Sequence, residues 1–317
     1  MREVLVSMTF EEFKKMVCHQ SVTVDTGGMG RYVEKKKPLG EWWLSNPRRR
    51  QYDGLILDPD AGNVSDGKLN LWRGFGVTPV KGDWGRLRDH TLEVVCNSDQ
   101  ERFDYLYNWM AWAVQHPADR AEVAVVMQGK QGTGKGTLAN AMRKLFGTHG
   151  LHISSAAHLA GRFNAHMRNC MLLFADEAYW PGDKAAEGSL KRMLTEPTLA
   201  IEGKGRDLVE VPNMLHVMMG SNESWVVPAG EDERRYFVMK VSGSRIQDPS
   251  WFRPLNMRRS FWTATVEPTT GNPKSIRGYA LSAILTQTNG TCRRNQNGCA
   301  GRPTIATSRN SIDMKHS

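Results

Sequence analysis

The stretch Gly129-Lys-Gln-Gly-Thr-Gly-Lys-Gly-Thr137 decides the fold of this chain. The apolar run Val123–Met127 leads into it, and the amphipathic segment Leu138–Phe146 follows it. This order predicts a strand, a glycine-rich loop and a helix. Glycines let successive backbone N–H groups turn toward a polyphosphate, and the positive end of the helix dipole adds to the attraction. The sequence therefore predicts a P-loop that binds a nucleoside triphosphate.

The end of this loop departs from the usual pattern. Lys135 supplies the mobile cation for the β- and γ-phosphates, and a Ser or Thr normally follows it directly. Here Gly136 stands between Lys135 and Thr137, so we expect an indirect contact between Thr137 and Mg²⁺. The predicted nucleotide-binding residues are Gly129, Lys130, Gln131, Gly132, Thr133, Gly134, Lys135, Gly136 and Thr137.

Two adjacent carboxylates follow a second apolar run. The run that begins at Asn169 ends in Asp176 and Glu177, which is typical of a strand buried on both faces of a parallel sheet. Ligands of such sheets bind at the carboxyl ends of the strands. We therefore expect Asp176 to hold Mg²⁺ and Glu177 to orient and deprotonate the attacking water. The other interpretation is an acidic cap on the following helix.

Two further apolar runs carry polar groups at one end. Met214–Met219 leads to Asn222, whose amide can donate to the γ-phosphate or the attacking water. Arg234 and Arg235 stand at the start of the next predicted strand, and arginine suits the charge of a phosphoryl transition state. The alternatives are a simple turn at Asn222 and a surface ion-pair network around the arginines.

Taken together, these motifs resemble the superfamily 3 helicases of the AAA+ class. The resemblance is closest to the helicase-like ATPase domain attached to phage and plasmid primase-polymerases, which is related to the poxvirus primase-helicase. It extends along most of the chain. Besides the motifs above, the segments that carry it are Trp42-Trp43, Arg48–Pro59, Leu69–Phe75, Tyr107–Pro117, His158–Asn164, Leu190–Thr195 and Arg234–Phe237.

The resemblance implies an oligomeric ring, usually a hexamer, in which ATP on one subunit meets an arginine of its neighbour. It also gives the motif residues their roles. Lys135 and Thr137 fall in the A motif, Asp176 and Glu177 in the B motif and Asn222 in the C motif, and Arg234 or Arg235 becomes the arginine finger.

Residues 198–211 predict a β-hairpin, because two segments with the residue alternation typical of β-strands flank a Gly-Lys-Gly-Arg-Asp tip. In the resembling motors the corresponding hairpin projects into the ring pore and follows the DNA backbone. The resemblance therefore implies that Lys204 and Arg206 contact phosphates of single-stranded DNA. The other interpretation is a solvated turn.

Charge is unevenly distributed along the chain. The formal net charge is +9, with nine Lys/Arg and two Asp/Glu in residues 255–317, so this tail contributes +7 and the rest +2. The tail shows almost no apolar periodicity and many Asn, Thr, Gly and Arg residues, and we expect it to be largely disordered. It is interpreted either as a basic DNA-binding tail or as the product of a shifted reading frame.

We predict an α/β fold in which a P-loop NTPase core, residues 118–254, has a parallel sheet with flanking helices. Residues 1–117 form a smaller α+β region that would contact DNA or a neighbouring subunit, and residues 255–317 form the tail. Residues 101–114 predict an amphipathic helix. The residues expected on its apolar face are Phe103, Leu106, Tyr107, Met110 and Val114.

The favoured function is an ATP- and Mg²⁺-dependent DNA helicase or translocase of a phage or mobile-element replication system. Two other classes stay open: a nucleoside-monophosphate kinase, because the Lys-Gly-Thr loop also occurs in adenylate-type kinases, and a non-enzymatic DNA-binding protein that kept the fold. No primase-polymerase signature is visible, so we expect either a separate primase or polymerase or a fragment. Neither a signal peptide nor a membrane span is apparent, which predicts a cytoplasmic protein, in the bacterial host if phage-encoded.

Overall fold

The computed structural model describes residues 8–26, 33–78, 83–177, 184–205, 207–222, 234–256, 261–263 and 286–288. Short elements make up the first part of the chain. They are α1 (Phe10–Met16), β1 (Ser21–Asp25), β2 (Glu34–Pro38), α2 (Leu39–Ser45), β3 (Leu55–Ile56), β4 (Val64–Ser65), β5 (Lys68–Asn70) and α3 (Gly85–Asp89).

Two small sheets organise this region. Strands β1 and β2 pair antiparallel, and β3, β5 and β4 form a three-stranded sheet in that order. Asn70 is almost fully buried and its side-chain amide donates to the carbonyls of Asp58 and Gly62. Because a buried amide without partners would cost stability, these bonds fix the loop around Asn70.

A helical segment leads from this region into the main body of the protein. Helix α3 continues as a π-helical turn, His90–Val95, and α4 (Gln100–Gln115) follows. Asp99 caps α4 by accepting from the N–H of Arg102. Of the five residues predicted on the apolar face of this helix, Phe103, Leu106 and Met110 are buried, and Tyr107 and Val114 pack against the same core.

A sheet of five parallel strands forms the centre of the molecule, in the order β12-β6-β11-β8-β7. Its strands β6, β8, β11 and β12 confirm the four predicted apolar runs. The main elements after α4 are β6 (Ala124–Gln128), α5 (Lys135–Phe146), β7 (Gly150–Ile153), α6 (Ala156–Ala160), β8 (Leu172–Asp176), α7 (Lys184–Thr195), β9 (Thr198–Ile201), β10 (Val209–Pro212), β11 (His216–Ser221), β12 (Tyr236–Lys240) and α8 (Pro249–Asn256).

Alternate residues of the central strands point to opposite faces of the sheet. Val125 and Met127 of β6 belong to one buried cluster, together with residues of α4 and α5. Ala124 and Val126 belong to the other, which includes residues of α7. Both faces are therefore covered, which explains why these strands are continuous apolar runs.

The segments before and after residue 117 share one core. Leu87, Val94 and Phe103 lie in the same buried cluster as Val125 and Leu138. The boundaries predicted at residues 117 and 255 stay a prediction, although the predicted division crosses a continuous apolar interior.

A close backbone contact adds to this connection. The N–H of Gly76 donates to the carbonyl of Leu145 at 2.7 Å. A Cβ atom at Gly76 would lie 2.5 Å from the Cα of Gly147, and a Cβ at Gly147 would lie 2.6 Å from the Cα of Gly76. Glycine is required at both positions, since Gly147 also has a positive φ of 55° at the end of α5.

Two short strands, β13 (Phe261–Thr263) and β14 (Thr286–Thr288), pair antiparallel beyond α8. Most of the predicted disordered tail, residues 255–317, lies outside the described residues. Within the described part of the chain, no helix has both the length and the apolar character needed to cross a bilayer.

Candidate functional site

The glycine-rich loop leaves the carboxyl end of β6 and enters α5. Gly132 and Gly134 have φ values of 80° and 93°, a conformation that L side chains rarely adopt. The Thr133 hydroxyl is buried and donates to the carbonyl of Lys130 at 2.9 Å. Helix α5 begins directly at Lys135, so the N–H groups of its first turn lie at this loop.

The ammonium group of Lys135 is held at the mouth of the loop. It donates to the carbonyls of Gly129 at 2.5 Å and Lys130 at 2.9 Å, and to Oδ1 of Asn222 at 2.8 Å. Burial lowers the pKa of Lys135, whereas the nearby charges of Asp176 and Glu177 act in the opposite direction. An ammonium has three donors, so each has an acceptor here.

The order of the strands brings Asn222 between the loop and the predicted carboxylates. Strand β11 lies between β6 and β8, and Asn222 follows it directly. The Asn222 amide accepts from Lys135 and donates to Oε1 of Glu177. These contacts form one hydrogen-bonded series from Lys135 through Asn222 to Glu177.

Two backbone features position the carboxylates of Asp176 and Glu177. Glu177 has a positive φ of 54°, and its N–H donates to the carbonyl of Gly220 at 2.9 Å. A Cβ atom at Gly220 would lie 2.8 Å from Oδ1 of Asp176. The glycine thus leaves room for the Asp176 carboxylate, while the bond to Gly220 fixes the backbone of Glu177 at the end of β8.

These groups line one cavity of 480 Å³. Thr137 and Asp176 both border it and offer the oxygen ligands that Mg²⁺ prefers. The described residues contain no group of three or more His, Cys, Asp or Glu side chains able to hold a metal alone. The donor set therefore fits a Mg²⁺ ion that keeps most of its coordination for phosphates and water. The cavity is lined by residues 131–137 together with Asn140, Asp176, Glu177, Asn222 and Phe252.

His90 contacts the glycine-rich loop, and nothing in the sequence suggested this contact. It is fully buried, and its Nε2 lies 3.2 Å from the carbonyl of Gly134. Trp251 Nε1 donates to His90 Nδ1 at 3.1 Å, so Nδ1 is the acceptor and Nε2 carries the hydrogen. Burial lowers the pKa of His90. A neutral imidazole therefore connects α8 to the glycine-rich loop.

His152 is a second histidine that the sequence did not suggest, and it lies beside Asp176. It belongs to β7, the strand next to β8, with Nε2 3.7 Å from Oδ2 of Asp176. Its ring stacks on Phe174 at 5.0 Å. Sequence reasoning missed both histidines because neither stands near the motif that it contacts in the folded chain.

The two predicted arginines lie at the opposite edge of the sheet. Tyr236, the first residue of β12, pairs with Ala124, the first of β6, and the carbonyl of Arg235 accepts from Ala124. Six residue steps at about 3.3 Å each, about 20 Å, separate the level of Arg235 from that of Gly129. This distance is longer than an arginine side chain, so neither Arg234 nor Arg235 reaches the cavity of its own chain.

The predicted hairpin is confirmed as the antiparallel pair β9 and β10. Lys204 lies exposed in its turn, and Gly205 has a positive φ of 69°. Arg206 is outside the described residues. The side chain of Asn164 donates to the carbonyl of Ala200 and accepts from the N–H of Glu202, each at 2.8 Å, and so anchors one side of the hairpin.

The fold and the site together define an α/β protein with a glycine-rich loop, a buried lysine and two carboxylates at the carboxyl edge of a parallel sheet. Residues 127–235 match a family described as "Family of unknown function (DUF5906)". Over 220 residues the chain is 29% identical to a "DNA Primase-polymerase" of Nitratiruptor phage NrS-1, a match that covers 68% of this chain and 29% of that protein.

Solved structures with a similar fold come from the same phage protein. An apo structure of the NrS-1 C-terminal region matches with a TM-score of 0.57 at 22% identity, covering 77% of this chain and 65% of that one. An A-form apo structure matches with a TM-score of 0.53 at 26% identity, covering 65% and 52%. The chain spans less than a third of the length of its curated relative. The predicted resemblance to the phage primase-helicase family is thereby confirmed by the similarity to the phage protein.

Proposed function

We propose that this chain is an ATP-dependent motor on DNA. It would be a P-loop NTPase of the AAA+, superfamily 3 type that couples ATP hydrolysis to movement along single-stranded DNA in phage or mobile-element replication. The hydrogen-bonded series from Lys135 through Asn222 to Glu177 beside one cavity supports this proposal most strongly. The similarity to a phage "DNA Primase-polymerase" supports the setting in replication.

In this proposal the loop and Lys135 bind the phosphates, because the N–H groups at the start of α5 and the ammonium group offer positive charge at one point. Glu177 accepts a proton from the attacking water. Asn222 holds the Glu177 carboxylate by donating to Oε1, so that the other oxygen is free to accept from water. Hydrolysis needs this separate base, whereas transfer between nucleotides does not.

Thr137 and Asp176 would hold Mg²⁺, which when bound neutralises the charge that develops on the β- and γ-phosphates. Asp176 lies at the end of β8, and Thr137 lies in the first turn of α5. His152 beside Asp176 would restrict the orientation of that carboxylate.

The arginine pair supports a homo-oligomer, with a hexameric ring as the expected form. Because Arg234 and Arg235 lie about 20 Å from the loop of their own chain, an arginine that reaches the γ-phosphate has to come from a neighbouring subunit. The exposed Lys204 in the β9–β10 turn supports single-stranded DNA as a partner, and Arg206 would contact the DNA phosphates together with it. A separate primase or polymerase would complete the replication machinery.

Phosphate release from ATP tests the proposal when it is measured with and without single-stranded DNA and with AMP as a second substrate. We expect turnover that DNA increases and AMP does not change. ADP formed from AMP by phosphoryl transfer would instead identify a nucleoside-monophosphate kinase. DNA binding with no ATP turnover would identify a non-enzymatic DNA-binding protein.

A further inference from the structure

Phe252 of α8 is an apolar wall in a cavity that is otherwise polar. It is half-buried, and among the described residues that line the cavity it is the single aromatic side chain. Its ring meets the glycine-rich loop directly, since a Cβ atom at Gly134 would lie 2.7 Å from Cε1 of Phe252. One side of the ring therefore rests on the loop and its neighbourhood, while the cavity borders the ring as well.

The position of this ring is fixed by several contacts on α8. The N–H of Phe252 donates to the carbonyl of Asp248 at 3.2 Å, and Asp248 Oδ1 accepts from the N–H of Trp251 at 3.1 Å. The Phe252 ring packs edge-on against His90, with ring centroids 5.7 Å apart and planes at 74°. The ring is thus held in place before any ligand binds, as a preformed binding surface requires.

A second set of contacts ties α8 to the segment before the sheet. Trp251 donates to the buried His90, and the guanidinium of Arg245 lies 4.0 Å above the Trp251 ring. Arg245 also lies 3.5 Å from the carboxylate of Glu93, in the π-helical turn. Helix α8 and the π-helical turn therefore form one support behind the loop.

The cavity consequently has two chemical ends. Lys135, the α5 N-terminus and the carboxylates make a charged end, whereas Phe252 offers a flat apolar surface beside Gly134. A nucleoside triphosphate has the same division, because its phosphates are charged and its base is flat and weakly hydrated. We propose that the nucleobase of the bound nucleotide packs against the Phe252 ring, which makes Phe252 a base-binding residue of this site.

This inference rests on the proposed function, and it adds the residue that distinguishes a nucleotide from a bare polyphosphate. The ring offers no hydrogen bond, so its contribution to binding comes from stacking and apolar contact. Loss of the ring should weaken the binding of ligands that carry a base. It should leave the binding of ligands that carry phosphates alone unchanged. A ring that only positioned the loop would affect both kinds of ligand equally.

The experiment compares two ligands by isothermal titration calorimetry with Mg²⁺: a non-hydrolysable ATP analogue and inorganic tripolyphosphate. Phe252→Leu keeps an apolar side chain without the ring, and Phe252→Tyr keeps the ring. Phe10→Leu serves as the matched control, because Phe10 is exposed on α1. We expect Phe252→Leu to lower the affinity for the ATP analogue about fivefold or more, which corresponds to the lower end of the free energy of base–aromatic stacking. Tripolyphosphate affinity should change less than about twofold, and Phe252→Tyr and Phe10→Leu should resemble the wild type.

Each other outcome overturns the inference. An equal loss of affinity for both ligands in Phe252→Leu would mean that the ring only supports the loop. Unchanged affinity for both ligands would mean that the base lies elsewhere. A wild-type protein that bound neither ligand would contradict the proposed function itself, and this result is distinct from the others.

Discussion

Asn222 connects the lysine and the carboxylate of the site through the two ends of one amide. Its oxygen accepts from Lys135 and its nitrogen donates to Glu177. An amide is suited to this position because a carboxylate could not donate and an ammonium could not accept. The two partners nevertheless have different duties in the proposed mechanism, since one binds phosphate and the other activates water.

Substitution of these partners should therefore separate binding from hydrolysis. Lys135→Ala removes the phosphate-binding cation, and we expect it to abolish ATP binding and, with it, turnover. Glu177→Gln keeps the shape and the polar contact but cannot accept a proton, so ATP binding should remain within a few-fold of wild type while turnover falls about 10²-fold or more. Calorimetric titration and phosphate release measure the two effects. Equal loss of ATP affinity in both variants would contradict this division.

Two buried histidines predict how stability depends on pH. Burial lowers the pKa of His216 to about 4 and also lowers the pKa of His90. The unfolded chain, with a histidine pKa of about 6.5, takes up these protons first as the pH falls. Stability should therefore be complete above pH ~6.5 and decrease below it, with a loss on the order of 2 kcal/mol from His216 by pH ~4.5.

Urea denaturation between pH 7.5 and 4.5 measures this dependence. His216→Gln removes the titrating group and should flatten the pH dependence, even though the variant is less stable at neutral pH. His19→Gln removes an exposed imidazole and should follow the wild type. A wild-type slope retained in His216→Gln would show that this histidine does not control the acid response.

The sequence could supply those site residues that stand directly after an apolar strand. Asp176, Glu177 and Asn222 were predicted together, because the carboxyl ends of parallel strands meet at one edge of a sheet. His90 and Phe252 were not predicted, since their contacts with Gly134 join segments 44 residues and more apart. Such contacts depend on tertiary packing, and no local spacing encodes them.

At the scale of elements, the β9–β10 hairpin carries a prediction about DNA. Lys204→Ala combined with Arg206→Ala removes two cations from its tip, so single-stranded DNA binding should weaken and stimulation of the ATPase by DNA should be lost. The slope of log affinity against log salt should fall by about 1.4, because each phosphate contact on a single strand contributes about 0.7. Basal ATPase activity should stay near the wild-type value.

A matched control removes the same charge elsewhere. Lys144→Ala combined with Lys240→Ala takes two exposed lysines from α5 and β12 and should leave the salt slope unchanged. Fluorescence anisotropy with labelled single-stranded DNA, measured across a series of salt concentrations, gives both slopes. If the hairpin variant and the control had the same slope, Lys204 and Arg206 would have no special contact with the backbone of DNA.

Apolar runs predicted the central strands, but their order in the sheet could not be derived. Strand β11 comes late in the chain and still lies between β6 and β8. This insertion brings Asn222 next to both Lys135 and Glu177. Strand β7 and the π-helical turn His90–Val95 had no recognisable sequence signal, because β7 has only four residues and a π-turn differs from an α-helix by one hydrogen-bond register.

For the whole molecule, the position of the arginines leads to a test of assembly. A variant with both Arg234 and Arg235 replaced by Ala keeps its nucleotide site, whereas Lys135→Ala keeps its arginines. Each should be inactive alone, because loss of an arginine finger typically reduces turnover about 10³-fold or more. In mixed oligomers the arginines of the second variant can complete the site of the first. We therefore expect partial recovery of ATPase activity on mixing.

Recovery should increase with protein concentration, since it requires association between subunits. Native mass measurement establishes whether mixed oligomers form, and mixtures of each variant with itself serve as controls. Mixed oligomers without recovered activity would mean that Arg234 and Arg235 have no role in a neighbour's site.

The contact between Gly76 and Gly147 has a consequence for how such chains can recombine. Neither position has room for a side chain, and the two glycines lie on opposite sides of the predicted boundary at residue 117. A hybrid that joins residues 1–117 of one relative to the remainder of another takes position 76 from the first parent and position 147 from the second. It can close this contact only where the first parent has glycine at position 76 and the second has glycine at position 147, because a side chain at either position would collide with the backbone of the other.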